Sequence, residues 1–212
     1  MAATNHDNII GIDWNINTAY AIGLITTDGN LSKDGRHMTF VSKDISLINL
    51  FKRCLKIDNK ISCKNSGFSK KGRYYFVQFG NVLLYRNLVK IGLTPNKSKT
   101  IHRIKIPEEF FPDFLRGHLD GDGSIKTYQD PWFKKCQRLY VNFLSASKKH
   151  IFWLQREIQR LYAIKGKIRP DIRIWKIVYA KQDSIKLLKV IYYRKRLPFL
   201  ARKHRLISNY LN

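Results

Sequence analysis

The sequence is poor in acidic residues, and this shortage indicates the class of partner. Its 212 residues include 15 Asp and Glu against 40 Lys and Arg, a formal net charge of +25. Both halves share the excess, because residues 1–106 carry 17 basic and 6 acidic residues and residues 107–212 carry 23 and 9. Solubility alone requires far less charge. We therefore expect a polyanionic partner, and specifically nucleic acid bound through its phosphates.

Cysteines and long apolar runs are also scarce. Cys54, Cys63 and Cys136 form no C-x-x-C pair, so we predict buried, reduced thiols and neither a zinc site nor a disulfide framework. No apolar run approaches the roughly 18 residues of a transmembrane helix, and no basic amphipathic helix stands apart from the core pattern. A membrane partner is not expected. The absence of a secretion signal predicts an intracellular protein, in a bacterial or archaeal cytoplasm or an organelle.

One short segment carries the strongest chemical signal. Residues 115–123 read LRGHLDGDG, a helix that runs into an Asp-Gly-Asp-Gly turn. Gly117 lets another backbone approach closely, and the glycines around Asp122 let the chain leave the helix sharply. The Asp122 carboxylate then lies at the negative end of the helix dipole, beside exposed carbonyl oxygens. Such an environment favours a divalent cation.

A weaker copy of this segment lies 94 positions earlier. Residues 21–29 read AIGLITTDG and keep the Gly, the apolar pair and the terminal Asp28 with its Gly. Two helices with Gly on their contact faces can pack backbone to backbone and bring both Asp ends together. A second offset, of 106 positions, pairs two amphipathic segments and also pairs Lys97 with Lys203. The chain is therefore predicted to contain two copies of one unit.

Hydrophobic periodicity predicts the order αββαββα for each unit. After its motif helix, the first unit is predicted to contain a hairpin over 30–41, a helix over 45–55, strands at 60–65 and 73–79 joined by a turn at 66–72, and a helix over 82–91. The corresponding elements of the second unit include strands at 138–143, 165–169 and 172–179, and helices over 147–161 and 184–193. The predicted domains are residues 1–100 and 112–212, with a linker at 101–111.

The two motifs and the segment around Lys97 resemble those of the LAGLIDADG homing endonucleases in their single-chain, two-motif form. In the first motif Thr26 replaces the usual acid at the sixth position, whereas the acid at the eighth position is present in both. The resemblance implies an α+β fold of two pseudo-twofold-related αββαββα repeats. They would pack through their motif helices, and each would carry a four-stranded antiparallel DNA-binding sheet. It also implies a monomer.

The resemblance further implies a metal-dependent active site. Phosphodiester hydrolysis needs an activated water and stabilised negative charge, and Mg²⁺ held by carboxylates supplies both. The implied site residues are Asp28 and Asp122 as catalytic metal ligands, the backbone carbonyls of Thr27 and Gly121 as further ligands, and Lys97 and Lys203 as catalytic lysines. Mn²⁺ is expected to substitute for Mg²⁺, and Ca²⁺ is expected to support binding without cleavage. Asp120 is expected near the helix end, and His118 is expected to be packed or at the surface.

Polar faces of the predicted strands define the expected recognition surface. The partner implied is double-stranded DNA with a long, asymmetric target site, cut on both strands across the minor groove to leave 3′ overhangs, as in intron homing. The side chains expected near phosphates or base edges are Lys60, Lys64, Arg73, Arg138, Asn142, Arg173 and Lys176.

A binding protein on the same scaffold is the main alternative. It would be an RNA maturase that binds intron RNA, or a DNA-binding regulator without cleavage activity. The presence of both Asp28 and Asp122 favours cleavage, although maturase activity can coexist with it. A third class, a basic ribosome-associated structural protein, would not need two matched Asp-Gly helix ends.

Overall fold

Both predicted repeats are present in the computed structural model, which describes residues 12–66 and 69–211. The first repeat comprises α1 (Ile16–Asp28), β1 (Gly29–Leu31), β2 (His37–Ser42), α2 (Ile45–Leu55), β3 (Ile61–Ser66), β4 (Ser69–Gly80) and α3 (Val82–Lys90). The second comprises α4 (Phe111–Asp120), β5 (Ser124–Gln129), β6 (Gln137–Ser145), α5 (Lys148–Tyr162), β7 (Lys167–Asp171), β8 (Ile174–Tyr179) and α6 (Lys181–Ile191). Two short helices that were not predicted follow, α7 (Ala201–Arg205) and α8 (Ser208–Leu211). The order αββαββα is confirmed.

Each repeat forms one four-stranded antiparallel sheet, as predicted. The strand orders are β1-β2-β4-β3 and β5-β6-β8-β7, so the two sheets have the same topology. Alternation along the strands buries one face, for example through the paired residues Met38 and Phe79 in the first sheet and Val141 and Tyr179 in the second. The helices cover this face, and the opposite face of each sheet stays open.

Local sequence signals begin and end several of these elements. Asp44 caps α2 by accepting a hydrogen bond from the Ser46 amide, and the Ser147 hydroxyl accepts one from the His150 amide at the start of α5. The predicted hairpin turn is present, with Gly35 at a φ of 78°. Part of the turn predicted at 66–72, Gly67 and Phe68, lies outside the described residues, and β3 and β4 extend towards it from either side.

Helices α1 and α4 form the central contact between the repeats. Gly23 and Gly117 face each other, so that a Cβ on Gly23 would lie 2.7 Å from the amide nitrogen of His118 and 2.9 Å from the Cα of Gly117. Further along, Gly121 lies against Thr27. The contacts advance in the same direction on both helices, so α1 and α4 run parallel and their carboxyl ends meet. The buried residues of both repeats join in one hydrophobic core around this pair.

The segment predicted as a linker is packed and not loosely extended. Ile101 and Ile104 are buried, and the Ser147 hydroxyl donates a 2.5 Å hydrogen bond to the carbonyl oxygen of Ile101. The segment ends in a 3₁₀ turn at Glu108–Phe110, and residue 111, predicted as linker, already belongs to α4. The division into domains at this segment stays a prediction.

The cysteines differ in part from the prediction. All three are free thiols, as expected, but only Cys54 is buried, whereas Cys63 and Cys136 are exposed on or beside strands. None of the helices in 12–66 and 69–211 has the length and apolar character that crossing a lipid bilayer requires.

The close approach of α1 and α4 makes Gly117→Ala a test of the fold. Alanine normally stabilises a helix interior relative to glycine by about 0.5–1 kcal/mol. Here the added methyl would overlap the carbonyl of Tyr20, so we expect a loss of about 1–3 kcal/mol of unfolding free energy, measured by urea denaturation. Leu83→Ala, at a helix position that is 65% exposed, is the control and should change stability by less than about 0.5 kcal/mol. A Gly117→Ala protein as stable as the wild type would contradict the described helix contact.

Candidate active site

The parallel packing of α1 and α4 brings Asp28 and Asp122 together. Asp28 is the last residue of α1, and Asp122 lies two residues beyond the end of α4. The Asp28 Oδ2 atom lies 3.3 Å from the position that a Cβ on Gly121 would occupy. Asp28 is half-buried and Asp122 is exposed, and the negative charge of Asp122 is close enough to act on Asp28. The two predicted metal-binding carboxylates therefore meet at the junction of the repeats.

The electrostatic environment disfavours ionisation of both carboxylates. Burial, together with the negative charge of Asp122, raises the pKa of Asp28 to about 7. Burial also raises the pKa of Asp122, although the positive charges of Lys203 and Lys97 oppose this. Carboxylates whose pKa values are raised by burial and by specific charged neighbours are common at functional sites.

The same two carboxylates have no protein partner of their own. Within 12–66 and 69–211, neither accepts a hydrogen bond and neither forms an ion pair at up to 4.0 Å, whereas Asp113, Asp130 and Asp171 each do both. Leaving a half-buried carboxylate such as that of Asp28 without a partner lowers the free energy of unfolding. A bound cation would remove both the lack of a partner and the mutual repulsion.

The donor set fits a hard divalent cation. In the described part of the chain, no group of three or more His, Cys, Asp or Glu side chains is placed to hold a metal ion. The protein thus supplies two carboxylates. Thr27 and Gly121, which precede them in the sequence, offer backbone carbonyl oxygens, and that of Gly121 also accepts a hydrogen bond from Lys203 at 3.2 Å. Mg²⁺ characteristically takes one or two carboxylates and completes its shell with water and substrate phosphate oxygens. The residues present are therefore compatible with Mg²⁺.

Lys97 and Lys203 both lie near the two carboxylates, where the resemblance placed them, and the charges of both lysines act on Asp28 and Asp122. Burial lowers the pKa of each to about 8, although the nearby Asp charges act to raise it. The Lys97 ammonium donates to the carbonyl oxygen of Gly29, the residue after Asp28. The Lys203 ammonium lies at 2.6–3.2 Å from four carbonyl oxygens at the end of α4, those of Leu119, Asp120, Gly121 and Gly123. Each lysine therefore binds the end of its own motif helix.

Asp120 supports the site from behind. It is fully buried, and its Oδ2 accepts hydrogen bonds from the Tyr20 hydroxyl at 2.7 Å and from the Leu200 amide at 2.8 Å. It thus links α1, α4 and the segment that carries Lys203. At the offset of 94 positions, Phe114 corresponds to Tyr20 and Thr26 corresponds to Asp120, so the other repeat lacks both the phenolic hydroxyl and the acid. The Thr26 hydroxyl instead donates to the carbonyl of Ile22 within α1. The helix end thus stays regular although Thr26 replaces the acid.

Arg116 is a structural residue that the sequence analysis missed. It is fully buried, pairs with Asp113, and donates to the carbonyl oxygens of Pro198 at 2.7 Å and Ile191 at 2.8 Å. Together with Asp120 it holds the chain that leads to Lys203. The spacing of Asp113 and Arg116, three apart on one helix, is the only sequence signal for this pair.

His118 is packed, one of the two outcomes expected for it. Its Nε2 lies 3.2 Å from the Nε2 of His150, whose Nδ1 lies 2.7 Å from the carbonyl oxygen of His102. Burial lowers the pKa of His150 to about 4 and that of His118 well below its usual range. Both imidazoles are therefore neutral near pH 7. Their contacts connect α4 to α5 and to the segment 101–111 between the repeats.

The open face of the first sheet carries part of the predicted recognition surface. Lys64 is exposed there, with its ammonium 5.7 Å from the centre of the Phe76 ring, and Lys60 is exposed just before β3. Arg73 is also exposed, but the register places it on the same side as Tyr75 and Cys63, towards the helices. The structure therefore does not bring Arg73 to the open face.

The predicted residues of the second sheet mostly have partners within the protein. Arg138 pairs with Asp130, Lys176 lies 2.7 Å from Asp171, and the buried amide of Asn142 donates to the Ser124 hydroxyl. Arg173 lies in the β7–β8 turn, with a φ of 60°. The sequence analysis missed three exposed cations that the register places on the open face: Lys126, Lys167 and Arg169.

Comparison with solved structures identifies the fold. The chain matches the homing endonuclease I-WcaI bound to its DNA recognition sequence with a TM-score of 0.65 and 13% identity, over 96% of this chain and 93% of that one. It matches the LAGLIDADG meganuclease I-AabMI bound to uncleaved DNA with a TM-score of 0.61 and 14% identity, over 93% and 89%. For full-length DUF199/WhiA from Thermatoga maritima the TM-score is 0.56 at 15% identity, over 95% of this chain but only 64% of that protein.

No protein-family model and no curated protein sequence matches the chain. The structural matches cover nearly the whole chain and agree with the strand order of both sheets. The chain therefore has the two-repeat LAGLIDADG fold, the fold of single-chain homing endonucleases and of the LAGLIDADG domain of DUF199/WhiA. The resemblance predicted from the two motifs is confirmed at the level of the fold.

If Asp28 is a metal ligand, its raised pKa predicts that cation binding depends on pH. Only the ionised carboxylate attracts a cation, so protons and Mg²⁺ compete and affinity should rise as the pH passes upwards through about 7. Isothermal titration calorimetry across this pH range, without DNA, measures the effect. Asp28→Asn should weaken the pH dependence and leave only the contribution of Asp122, whereas Asp58→Asn, the same change at an exposed position, should retain it in full. A pH-independent Mg²⁺ affinity in the wild type would contradict a role for Asp28.

The two lysines should contribute unequally to stability. Lys203→Met leaves four helix-end carbonyls without their shared donor, and we expect a loss of about 2 kcal/mol. Lys97→Met removes a single carbonyl contact, and we expect less than about 1 kcal/mol. Chemical denaturation of both variants at pH 7 provides the comparison. An equal or reversed order would show that the carbonyl contacts of Lys203 do not stabilise the fold.

Proposed function

We propose that this protein is a monomeric, Mg²⁺-dependent, site-specific double-strand DNA endonuclease. The observation that supports this most directly is the pair of Asp28, which is half-buried, and Asp122, which is exposed; they interact electrostatically and have no hydrogen-bond or ion-pair partners in the described chain. The net charge of +25 and the basic open faces of both sheets supply attraction for the DNA backbone. The LAGLIDADG fold agrees with this activity.

Each residue of the site has a specific role in this proposal. Asp28 and Asp122 hold the cation at the junction of the repeats, with the carbonyls of Thr27 and Gly121 as additional oxygen donors. Bound Mg²⁺ supplies Lewis-acid stabilisation of the phosphate and lowers the pKa of water. Lys97 and Lys203, largely protonated at pH 7 because their pKa values are about 8, stabilise negative charge on the phosphates.

The pseudo-twofold arrangement fits the cutting of two strands. Each repeat contributes one carboxylate and one lysine to the site. In the proposal, the carboxylate and lysine of one repeat face one strand of a duplex that crosses the junction, and those of the other repeat face the other strand. In the proposal the minor groove lies over the helix ends, and cleavage leaves 3′ overhangs. Because the two sheets differ in sequence, the recognised site is asymmetric, and the two open faces read its two halves.

Binding without cleavage is the competing proposal. An intron-RNA maturase or a DNA-binding regulator could use the same basic faces. The unpartnered carboxylates argue against a pure binder, because such a protein would gain stability by replacing them with neutral residues. The catalytic and binding-only proposals therefore differ in what Asp28 and Asp122 do.

Cleavage of a randomised DNA library is the decisive measurement. With Mg²⁺, the wild type should enrich one long site cut on both strands, Mn²⁺ should support the same cleavage, and Ca²⁺ should support binding only. Asp28→Asn and Asp122→Asn should each lower double-strand cutting by more than about a hundredfold and leave binding within a few fold, because they remove metal ligands and not phosphate contacts. Lys97→Met should slow cleavage at one strand more than at the other.

Asp58→Asn is the matched control, since it removes an exposed carboxylate that follows α2 and belongs to neither motif helix, and it should cleave like the wild type. Binding of one sequence by the wild type without cutting in Mg²⁺ or Mn²⁺ would overturn the nuclease proposal and favour a regulator. Preferential binding of structured RNA would favour a maturase.

A further inference from the structure

The β5–β6 hairpin ends in an exposed aromatic loop, residues 130–136. Trp132 is 89% exposed and Phe133 is 68% exposed, at adjacent positions. Neither ring stacks on another ring, or lies under a cation, in 12–66 and 69–211. The remaining tryptophans, Trp14, Trp153 and Trp175, are buried or half-buried. Large exposed apolar groups that are side by side mark contact surfaces more often than single ones do.

A hydrogen-bonded turn presents these two rings. The buried Asp130 carboxylate accepts hydrogen bonds from the amides of Trp132 at 2.9 Å and Phe133 at 3.0 Å, and it also pairs with Arg138. The Asp130 amide donates to the carbonyl of Cys136 at 2.8 Å, and the Cys136 amide donates to that of Phe133 at 2.7 Å. The loop backbone is therefore ordered before any ligand binds, which lowers the entropic cost of binding.

The surroundings of the two rings are cationic. Lys134 and Lys135 follow in the same loop and are exposed, and the only acid of the loop, Asp130, is buried in its pair with Arg138. On the adjoining open face, the rings of Tyr128 and Tyr140 stack with centres 6.1 Å apart. Aromatic rings interleaved with cations form the type of surface that stacks bases and holds the neighbouring phosphates.

The fold itself does not require this loop. The equivalent turn of the first repeat, residues 32–36, reads SKDGR and contains no aromatic residue. The loop also lies away from the helix ends, because the six residues of β5 separate it from Asp122 by about 20 Å at about 3.3 Å per residue. The fold thus does not require this loop, and the loop is not part of the site formed by Asp28 and Asp122.

We propose that loop 130–136 is a separate binding site for an unpaired nucleotide, with Trp132 and Phe133 stacking on the base and Lys134 and Lys135 contacting its phosphates. The base must be unpaired because neighbours cover both faces of a base within a duplex, whereas a base in a single strand, bulge or loop presents a free face. Single-stranded DNA and RNA both offer this chemistry. The proposal does not depend on the nuclease activity.

Tryptophan fluorescence and fluorescence anisotropy test the proposal directly. The probes are labelled oligothymidylate, oligouridylate and a blunt duplex of equal charge, in EDTA so that cleavage cannot occur. The single-stranded probes should quench the wild-type fluorescence, and Trp132→Ala should remove most of that quenching. The same substitution should weaken binding of at least one single strand by about fivefold or more, the effect of losing one stacked ring. Binding of the duplex should change by less than twofold.

Two features separate stacking from a charge effect or a folding defect. Removing a neutral ring should leave the slope of log affinity against log salt unchanged. Ile172→Ala is the matched control, because it removes a side chain that is 87% exposed in the other hairpin of the same sheet, and it should bind like the wild type. A loss with oligothymidylate, oligouridylate or both supports the proposal and identifies the strand type. Unchanged single-strand affinity in Trp132→Ala, or an equal loss with the duplex, overturns it.

Discussion

The backbone contact between α1 and α4 is the constraint on which the rest of the structure depends. The absence of side chains at Gly23 and Gly117 lets two parallel helices approach more closely than any other pair of residue types would permit. Parallel packing then places two negative helix ends and two carboxylates, Asp28 and Asp122, at one point. The contact that joins the repeats therefore also brings negative charges together at the junction of the repeats.

Other residues of the protein neutralise only part of this negative charge. Lys97 and Lys203 neutralise the helix ends, yet their ammonium groups bind backbone carbonyls and form no close ion pair with Asp28 or Asp122 in the described chain. Burial raises the pKa of Asp28 to about 7 and lowers those of Lys97 and Lys203 to about 8, so these three groups titrate close to neutral pH. The lysines contribute to folding through these carbonyls, whereas the two carboxylates contribute no such contact in the described chain, and carboxylates in this state are common at functional sites.

Periodicity and the matched offsets predicted the repeat order, and the glycines on the motif helices predicted that Asp28 and Asp122 meet. The two four-stranded sheets and the placement of Lys97 and Lys203 beside those carboxylates were implied by the family resemblance. It did not predict which cations stay available on the open faces. Arg138, Lys176 and Asn142 have the right strand positions, but each is held by a neighbour that only the folded sheet supplies. Burial of Arg116 was equally hidden, because its carbonyl partners at Pro198 and Ile191 are some 80 positions away in the chain.

The two repeats share a topology but differ in how firmly each helix end is held. At the end of α4, Lys203 binds four carbonyls, and Asp120 joins the Tyr20 hydroxyl to the Leu200 amide. At the end of α1, Lys97 binds one carbonyl, and Thr26 bonds only within its own helix. Because Tyr20 belongs to α1, the first repeat contributes to fixing the second more than it is fixed in return. The two ends are therefore chemically unequal, and Lys97 keeps more unused hydrogen-bond donor capacity than Lys203 does.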